Sequence, residues 1–282
     1  MRGIRGAVRC LPFLGRRWVR STHPAVLCLL AAPVWADAPA RVVSMNLCTD
    51  QLAMLVAAPG QIVALSELAR DPRSSAMHVE ARDYPTHSSA AEEVYWLKPD
   101  LVLAGTYTAR PSVEMLTRLG VRVETFPIEE RMAQIPEHLR RMGALLGQEA
   151  KAEALVAEFE AALEALRVEA GDGPRVALYG PSGWSGGTET LSHEILTAAG
   201  FRNVAEELGR PHGGYLNLEE LALVAPDLVV AGAGYPGHSR AEEILRHPVV
   251  QHFDLRDLTG PDWVCGLPHV LGAVRRMKAA RE

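Results

Sequence analysis

Apolar residues along this chain fall into short unbroken runs that alternate with stretches of helical spacing. "RVVSM" (41–45) reads as a buried strand, and "TDQLAMLVA" after it as a helix capped by Thr49 or Asp50. "QIVALS" (61–66), "DLVLAG" (100–105) and "VRVETF" (121–126) read as further strands. Between the last two, "RPSVEMLTRLG" is a helix opened by Pro111 and closed by Gly120. A second series begins with the strand "RVALYG" (175–180) and the helix "LSHEILTAAG", closed by Gly200. The strand "DLVVAG" (227–232) follows, then "RAEEILRHPVV", read as a helix that stops before Pro248. Strands alternating with helices predict crossover units and parallel sheets. The runs are apolar throughout, as strands covered on both faces should be.

Between the two series lies "QEAKAEALVAEFEAALEALRVEA", with Leu155, Phe159, Leu163 and Leu166 on one helical face and charges opposite. No Gly or Pro interrupts it before "GDGP" at 171–174, so it is built as a stiff spine rather than a flexible linker. The predicted fold class is α/β: two lobes with parallel sheets, joined by a single long rigid helix, with a ligand cleft between the lobes. The boundaries are 41–147 for the first lobe, 148–170 for the connecting helix and 174–282 for the second. One sentence occurs in both lobes. "AEEVYWLKPDLVLAG" (91–105) and "LEELALVAPDLVVAG" (218–232) agree at eight of fifteen positions, each opening on a pair of glutamates. Each copy reads as a helix, a Pro-Asp turn and a buried strand that ends on Gly at its carboxyl edge, where open parallel sheets bind ligands.

The first 36 residues stand apart. They hold six arginines and no acid, then the apolar run "AVLCLLAAPVWA". That is the pattern of a secretory signal peptide cleaved near Ala36, with an apolar core too short to span a bilayer. A start at Val19 would give a tidier leader. The twin arginine of "GRRWVR" leaves Sec and Tat export both open, and Leu27 before Cys28 argues against a lipoprotein. Without the leader, 23 basic residues face 34 acidic ones, a balance near −11 that disfavours nucleic acid and anionic membranes as partners. Only Cys48 and Cys265 then remain, and spacing leaves open whether they pair or stay free.

From Arg41 to about Met277 the chain resembles the substrate-binding proteins of ABC importers for cobalamin and ferric siderophores. The resemblance rests on "RVVSMNLCTDQLAMLVA", "EEVYWLKPDLVLAG", the spine helix, "RVALYGPSGWSGGTETLSHEILTAAG" and "LEELALVAPDLVVAG", in that order. It implies a periplasmic monomer with no catalysis and no cofactor, which captures a metal chelate and hands it to a dimeric permease in the inner membrane. It also implies that one glutamate per lobe docks on permease arginines; by register these are Glu92 and Glu219, beside Glu93 and Glu220. A competing role is helix capping, because Ser89-x-x-Glu92 and Asn217-x-x-Glu220 both fit a capping box.

Residues just beyond the strand ends are the candidates for the cleft: Asn46, Cys48, Arg70, His87, Tyr107 and Arg110 in the first lobe, and Trp184, Tyr235 and Trp263 in the second. His212 and Tyr215 sit nearby in a Gly-rich loop. Flat aromatic walls with a few polar groups suit a corrin or chelate, and Arg70 and Arg110 offer charge to an anionic periphery. Three rival readings are weaker. Gly232-x-Gly234-x-x-Gly237 spells a dinucleotide fingerprint, but Pro236 interrupts it. Gly183-Trp184-Ser185-Gly186-Gly187 matches a nucleophile elbow, which would make Ser185 the nucleophile of an exported hydrolase. Nine histidines beyond the leader allow a binder of zinc or another bare metal ion, although none stands in a metal-ligand spacing.

Overall fold

A computed structural model describes residues 38–168, 171–232, 234 and 239–281; the leader expected from the sequence lies outside the described residues. In chain order the first half holds β1 (Val42–Ser44), α1 (Leu47–Val56), β2 (Ile62–Ser66), β3 (Thr86–His87), α2 (Ala91–Trp96) and β4 (Leu101–Gly105). Then follow α3 (Arg110–Arg118), β5 (Val123–Phe126), α4 (Gln134–Leu146) and α5 (Glu149–Leu166). The second half holds β6 (Arg175–Leu178), β7 (Trp184–Ser185), α6 (Leu191–Ala198), β8 (Arg202–Asn203), β9 (Gly214–Tyr215) and α7 (Leu218–Val224). It ends with β10 (Leu228–Gly232), α8 (Pro248–Gln251), β11 (Leu255–Thr259) and α9 (Val270–Arg281).

The strands form two parallel sheets, ordered β3-β2-β1-β4-β5 and β11-β10-β6-β8, and a separate antiparallel ribbon of β7 and β9. Successive residues of the central strands point to opposite faces, and both faces are covered. Val42, Leu101 and Leu103 enter a cluster with α1 and α4, whereas Val43 and Val102 pack with Val94 of α2 and Leu116 of α3. In the second sheet Val176, Leu178, Leu228 and Val230 face α6 and α9, while Ala177 and Val229 pack with Leu221 of α7 and Val250 of α8. Two-sided burial is why these strands carry unbroken apolar runs.

The helix α5, about 27 Å long at 1.5 Å per residue, lies along α4 and touches α9. Its buried stripe is Ala152, Val156, Phe159 and Leu163. Through it the inner faces of both sheets share one apolar cluster, from Val42 to Met277. A second link is covalent. Cys48, in the first turn of α1, and Cys265, in the loop before α9, form a disulfide with Cα atoms 5.4 Å apart. The Gln51 amide also donates to the Cys265 sulfur at 3.4 Å. Beside it, Gly266 lies so close to Glu129 that a Cβ there would stand 2.2 Å from the glutamate Cβ.

Three local expectations need correction. The cap of α1 is Asn46, whose side chain accepts the Cys48 N–H at 3.0 Å, rather than Thr49 or Asp50. Thr49 and Asp50 are instead buried inside the first turns of the helix. The stretch Arg240–Arg246 is a 3-10 helix, and Pro248 opens α8 instead of following a helix. Proline at a first helical position forfeits no hydrogen bond, whereas it holds His247 extended (φ −66°, ψ 138°) and so separates the two pieces.

Candidate ligand cleft and docking helices

Carboxyl ends of β6, β10 and β11 open onto a cavity of about 510 Å³. Pro72 and Arg73 from the first lobe close it against Trp184, Gly232, Thr259 and Trp263 of the second. Trp184 is half exposed (49 %) and meets the Tyr215 ring edge-on, with centroids 5.4 Å apart and planes at 81°. That pair belongs to the β7–β9 ribbon, where Trp184 stands opposite Tyr215. Trp263 packs its ring on the core, and its indole N–H is buried with no acceptor. An unsatisfied buried donor costs about 1–3 kcal/mol.

The glycines around Ser185 serve the ribbon. Gly183 has φ +79°, and a Cβ there would meet the Leu216 carbonyl at 2.7 Å. A Cβ on Gly187 would stand 2.1 Å from the Gly213 nitrogen. Ser185 therefore lies buried in strand β7 rather than on a strand-to-helix turn, and the nucleophile-elbow geometry is absent. Among the described residues, no three His, Cys, Asp or Glu side chains gather to hold a metal ion.

Of the cleft candidates, Trp184 and Trp263 line the cavity. Tyr235 lies outside the described residues, as do Pro236 and Gly237 of the dinucleotide-like motif. Tyr107, 80 % exposed, and Arg110 stand on the first lobe past β4, outside the lining. Four others have structural employment. Asn46 caps α1 and abuts Gly105, and Cys48 is bridged. Arg70 donates to the carbonyls of Ala81, Arg82 and Tyr84, bracing its own loop. The buried His87 donates from Nε2 to the Ser44 carbonyl at 2.9 Å and accepts the Ser89 N–H on Nδ1 at 3.0 Å. That fixes one neutral tautomer, and burial pushes its pKa down. Sequence reasoning missed Pro72 and Arg73, which lie on an irregular loop with no periodicity to mark them.

Below His87 sits a buried polar cluster. The Asp50 carboxylate accepts from the Ser66 hydroxyl at 2.5 Å and the Ser66 N–H at 3.2 Å. Burial raises its pKa to about 7 against the pull of those hydrogen bonds and that of Ser44.

The repeated sentence is repeated in three dimensions. Asp100 accepts from the N–H groups of Ala40 and Arg41, and Asp227 accepts from that of Arg175. The Arg41 guanidinium donates to the carbonyls of Leu97 and Lys98; that of Arg175 donates to those of Val224 and Ala225. Lys98 and Ala225, at one register position, both take positive φ. Each unit thus ties the end of its helix to the start of the neighbouring strand.

Within each glutamate pair the structure separates the two members. Glu220 completes a capping box with Asn217 and also binds Arg210 at 2.6 Å. In the first lobe the Ser89–Glu92 box does not form. The N-cap is Ala90, Ser89 has φ 67°, and Glu93 reaches back to the Ser88 N–H and hydroxyl at 2.8 and 2.9 Å. These bonds hold the carboxyls of Glu93 and Glu220 below the usual range. Glu92 and Glu219, exposed in the same register, carry no hydrogen bond or ion pair in the described structure.

Two parallel α/β layers with a cavity at a carboxyl edge and an aromatic wall on it define a substrate-binding protein of the two-lobed class. The chain belongs to the periplasmic binding protein family, whose model matches residues 42–254. It is 28% identical over 201 residues to a cobalamin-binding protein of Halobacterium salinarum, covering 69% of this chain and 54% of that protein; the chain thus spans about half the length of that relative. A vitamin B12-binding protein of Salmonella typhi is 27% identical over 226 residues, with 77% of this chain and 79% of that one covered. The fold matches the crystal structure of a periplasmic heme-binding protein from Pseudomonas aeruginosa with a TM-score of 0.69 at 22% identity, over 86% of this chain and 92% of the other. It matches the periplasmic vitamin B12-binding protein of Vibrio cholerae at 0.66 and 15% identity, over 86% and 96%.

Proposed function

We propose that this chain is an exported periplasmic monomer that captures a corrinoid, cobalamin, in the cavity between its lobes and delivers it to a dimeric ABC permease, without catalysis. The observation that carries the ligand class is the cavity wall: Trp184 and Trp263 stand at the carboxyl edge among mostly apolar lining residues. A cobalamin brings its own axial base to cobalt, so it asks for flat apolar walls and peripheral hydrogen bonds rather than a metal-binding side chain. The relatives named for cobalamin support the same choice. Delivery is assigned to Glu92 and Glu219, the exposed glutamates that carry no hydrogen bond while their neighbours Glu93 and Glu220 are engaged. The leader before Asp37 supplies export. Calorimetry with cyanocobalamin, hemin and a ferric hydroxamate tests the ligand. Saturable 1:1 binding of cyanocobalamin alone is the expected result. Tight binding of hemin or the hydroxamate with none of cyanocobalamin would reject the corrinoid assignment.

A further inference from the structure

Each uncommitted glutamate stands one helical turn from a large exposed apolar side chain. Trp96, the last residue of α2, is 79 % exposed, and Leu223, in the last turn of α7, is 86 % exposed. In the register of the repeated sentence they occupy one position, just as Glu92 and Glu219 do. Residues four apart share a helix face, so each helix presents a carboxylate and an apolar group side by side. Single exposed apolar residues are ordinary; the same exposure at two equivalent positions, each beside a free acid, is not scatter. The first lobe exposes further apolar groups on α2 and its neighbour α3: Tyr95 by 45 %, Met115 by 40 % and, at the α3 C-cap, Leu119 by 45 %.

We propose that Trp96 and Leu223 are the apolar anchors of the permease-docking surface, each seated in an apolar recess beside the cation that meets Glu92 or Glu219. This rests on the docking reading above and extends it from charge to packing. Two copies of one patch on a single chain call for a partner with two like surfaces, and the free carboxylates call for cations on it. A second copy of this chain would set acid against acid. Exposed charges steer encounter and register, while buried aromatic anchors carry most of the affinity. Trp96 is the larger anchor and has the wider apolar surround, so the first lobe holds more tightly.

The test is binding of the purified chain to its permease–ATPase complex in lipid nanodiscs, measured by interferometry. The variants are Trp96→Ser, Leu223→Ser, the pair of them, and Glu92→Arg with Glu219→Arg. Circular-dichroism melting confirms that each is folded, and sedimentation reports self-association. Trp96→Ser is expected to weaken docking by about 10–100-fold and Leu223→Ser by about 10-fold, with melting unchanged. If the double Ser variant docks like the parent while the double Arg variant does not, the anchors are wrong and charge docking stands. If neither pair alters docking, the docking reading falls, and the anchors with it. Parent chains that self-associate through Trp96 and Leu223, and lose this in the double Ser variant, would assign the face to a second copy and overturn the proposal.

Discussion

Replacing both Cys48 and Cys265 with Ala removes the covalent tie between α1 of the first lobe and the loop that enters α9 of the second. The two residues lie 217 positions apart, so the bridge closes nearly the whole described chain into one loop. In the chain-entropy model a loop of that size removes about 18 cal/mol/K from the unfolded state, or about 5 kcal/mol at 25 °C. Measured bridges more often give about 2–4 kcal/mol, because residual unfolded structure already limits the chain. Alanine is the apt replacement, since Cys265 is 4 % exposed and a serine would bury a new hydroxyl. Urea unfolding at pH 7, followed by far-ultraviolet circular dichroism, should therefore show a loss of about 2–5 kcal/mol with little change in native spectrum. Thiol titration of the denatured, unreduced parent should find no free thiol from this pair. A loss under about 1 kcal/mol, or two titratable thiols, would refute the bridge as a tie between the lobes. Cys265 follows Trp263 by two residues, so the same variant should exchange ligand faster.

Two further outcomes follow from buried groups near that junction. Folded Asp50 keeps its proton up to about pH 7, whereas unfolded Asp loses it near 3.8, so folding binds a proton between those values and stability falls as pH rises through that window. Asp50→Asn should remove that contribution, so its stability relative to the parent should rise between pH 4 and 8; a difference between the two urea midpoints that stays constant over this range would contradict this. Gly266→Ala places a methyl 2.2 Å from the Glu129 Cβ and should cost about 1–3 kcal/mol in the same unfolding assay, and an unchanged midpoint would show that the junction yields freely.

Much of this architecture is legible in the chain because burial on both faces leaves unbroken apolar strands, and because one motif was written twice. The sequence marks Pro-Asp and Gly in each copy, but it cannot reveal that each Asp binds the backbone at the start of a neighbouring strand, or that Arg41 and Arg175 clasp the helix ends. Local grammar also misleads where two partners fit one signal. Ser89-x-x-Glu92 reads as a capping box, yet Ser89 adopts positive φ and it is Glu93 that reaches back, to Ser88 before the cap. Strand ends mark where a cleft can lie, and Trp184 and Trp263 do stand at the cavity edge. Strand ends say nothing of side-chain partners: the polar atoms of Arg70 and His87 are spent on carbonyls distant in sequence.

We propose a corrinoid as the ligand of the aromatic wall at the carboxyl edge of β6, β10 and β11. Its most direct test is equilibrium dialysis of cyanocobalamin against the parent chain and the Trp184→Ala, Trp263→Ala double variant, both with verified native spectra. Saturable binding by the parent and at least about a 100-fold loss in the variant are expected, as for two buried aromatic contacts. Equal affinity in the two proteins would place the ligand elsewhere and contradict it.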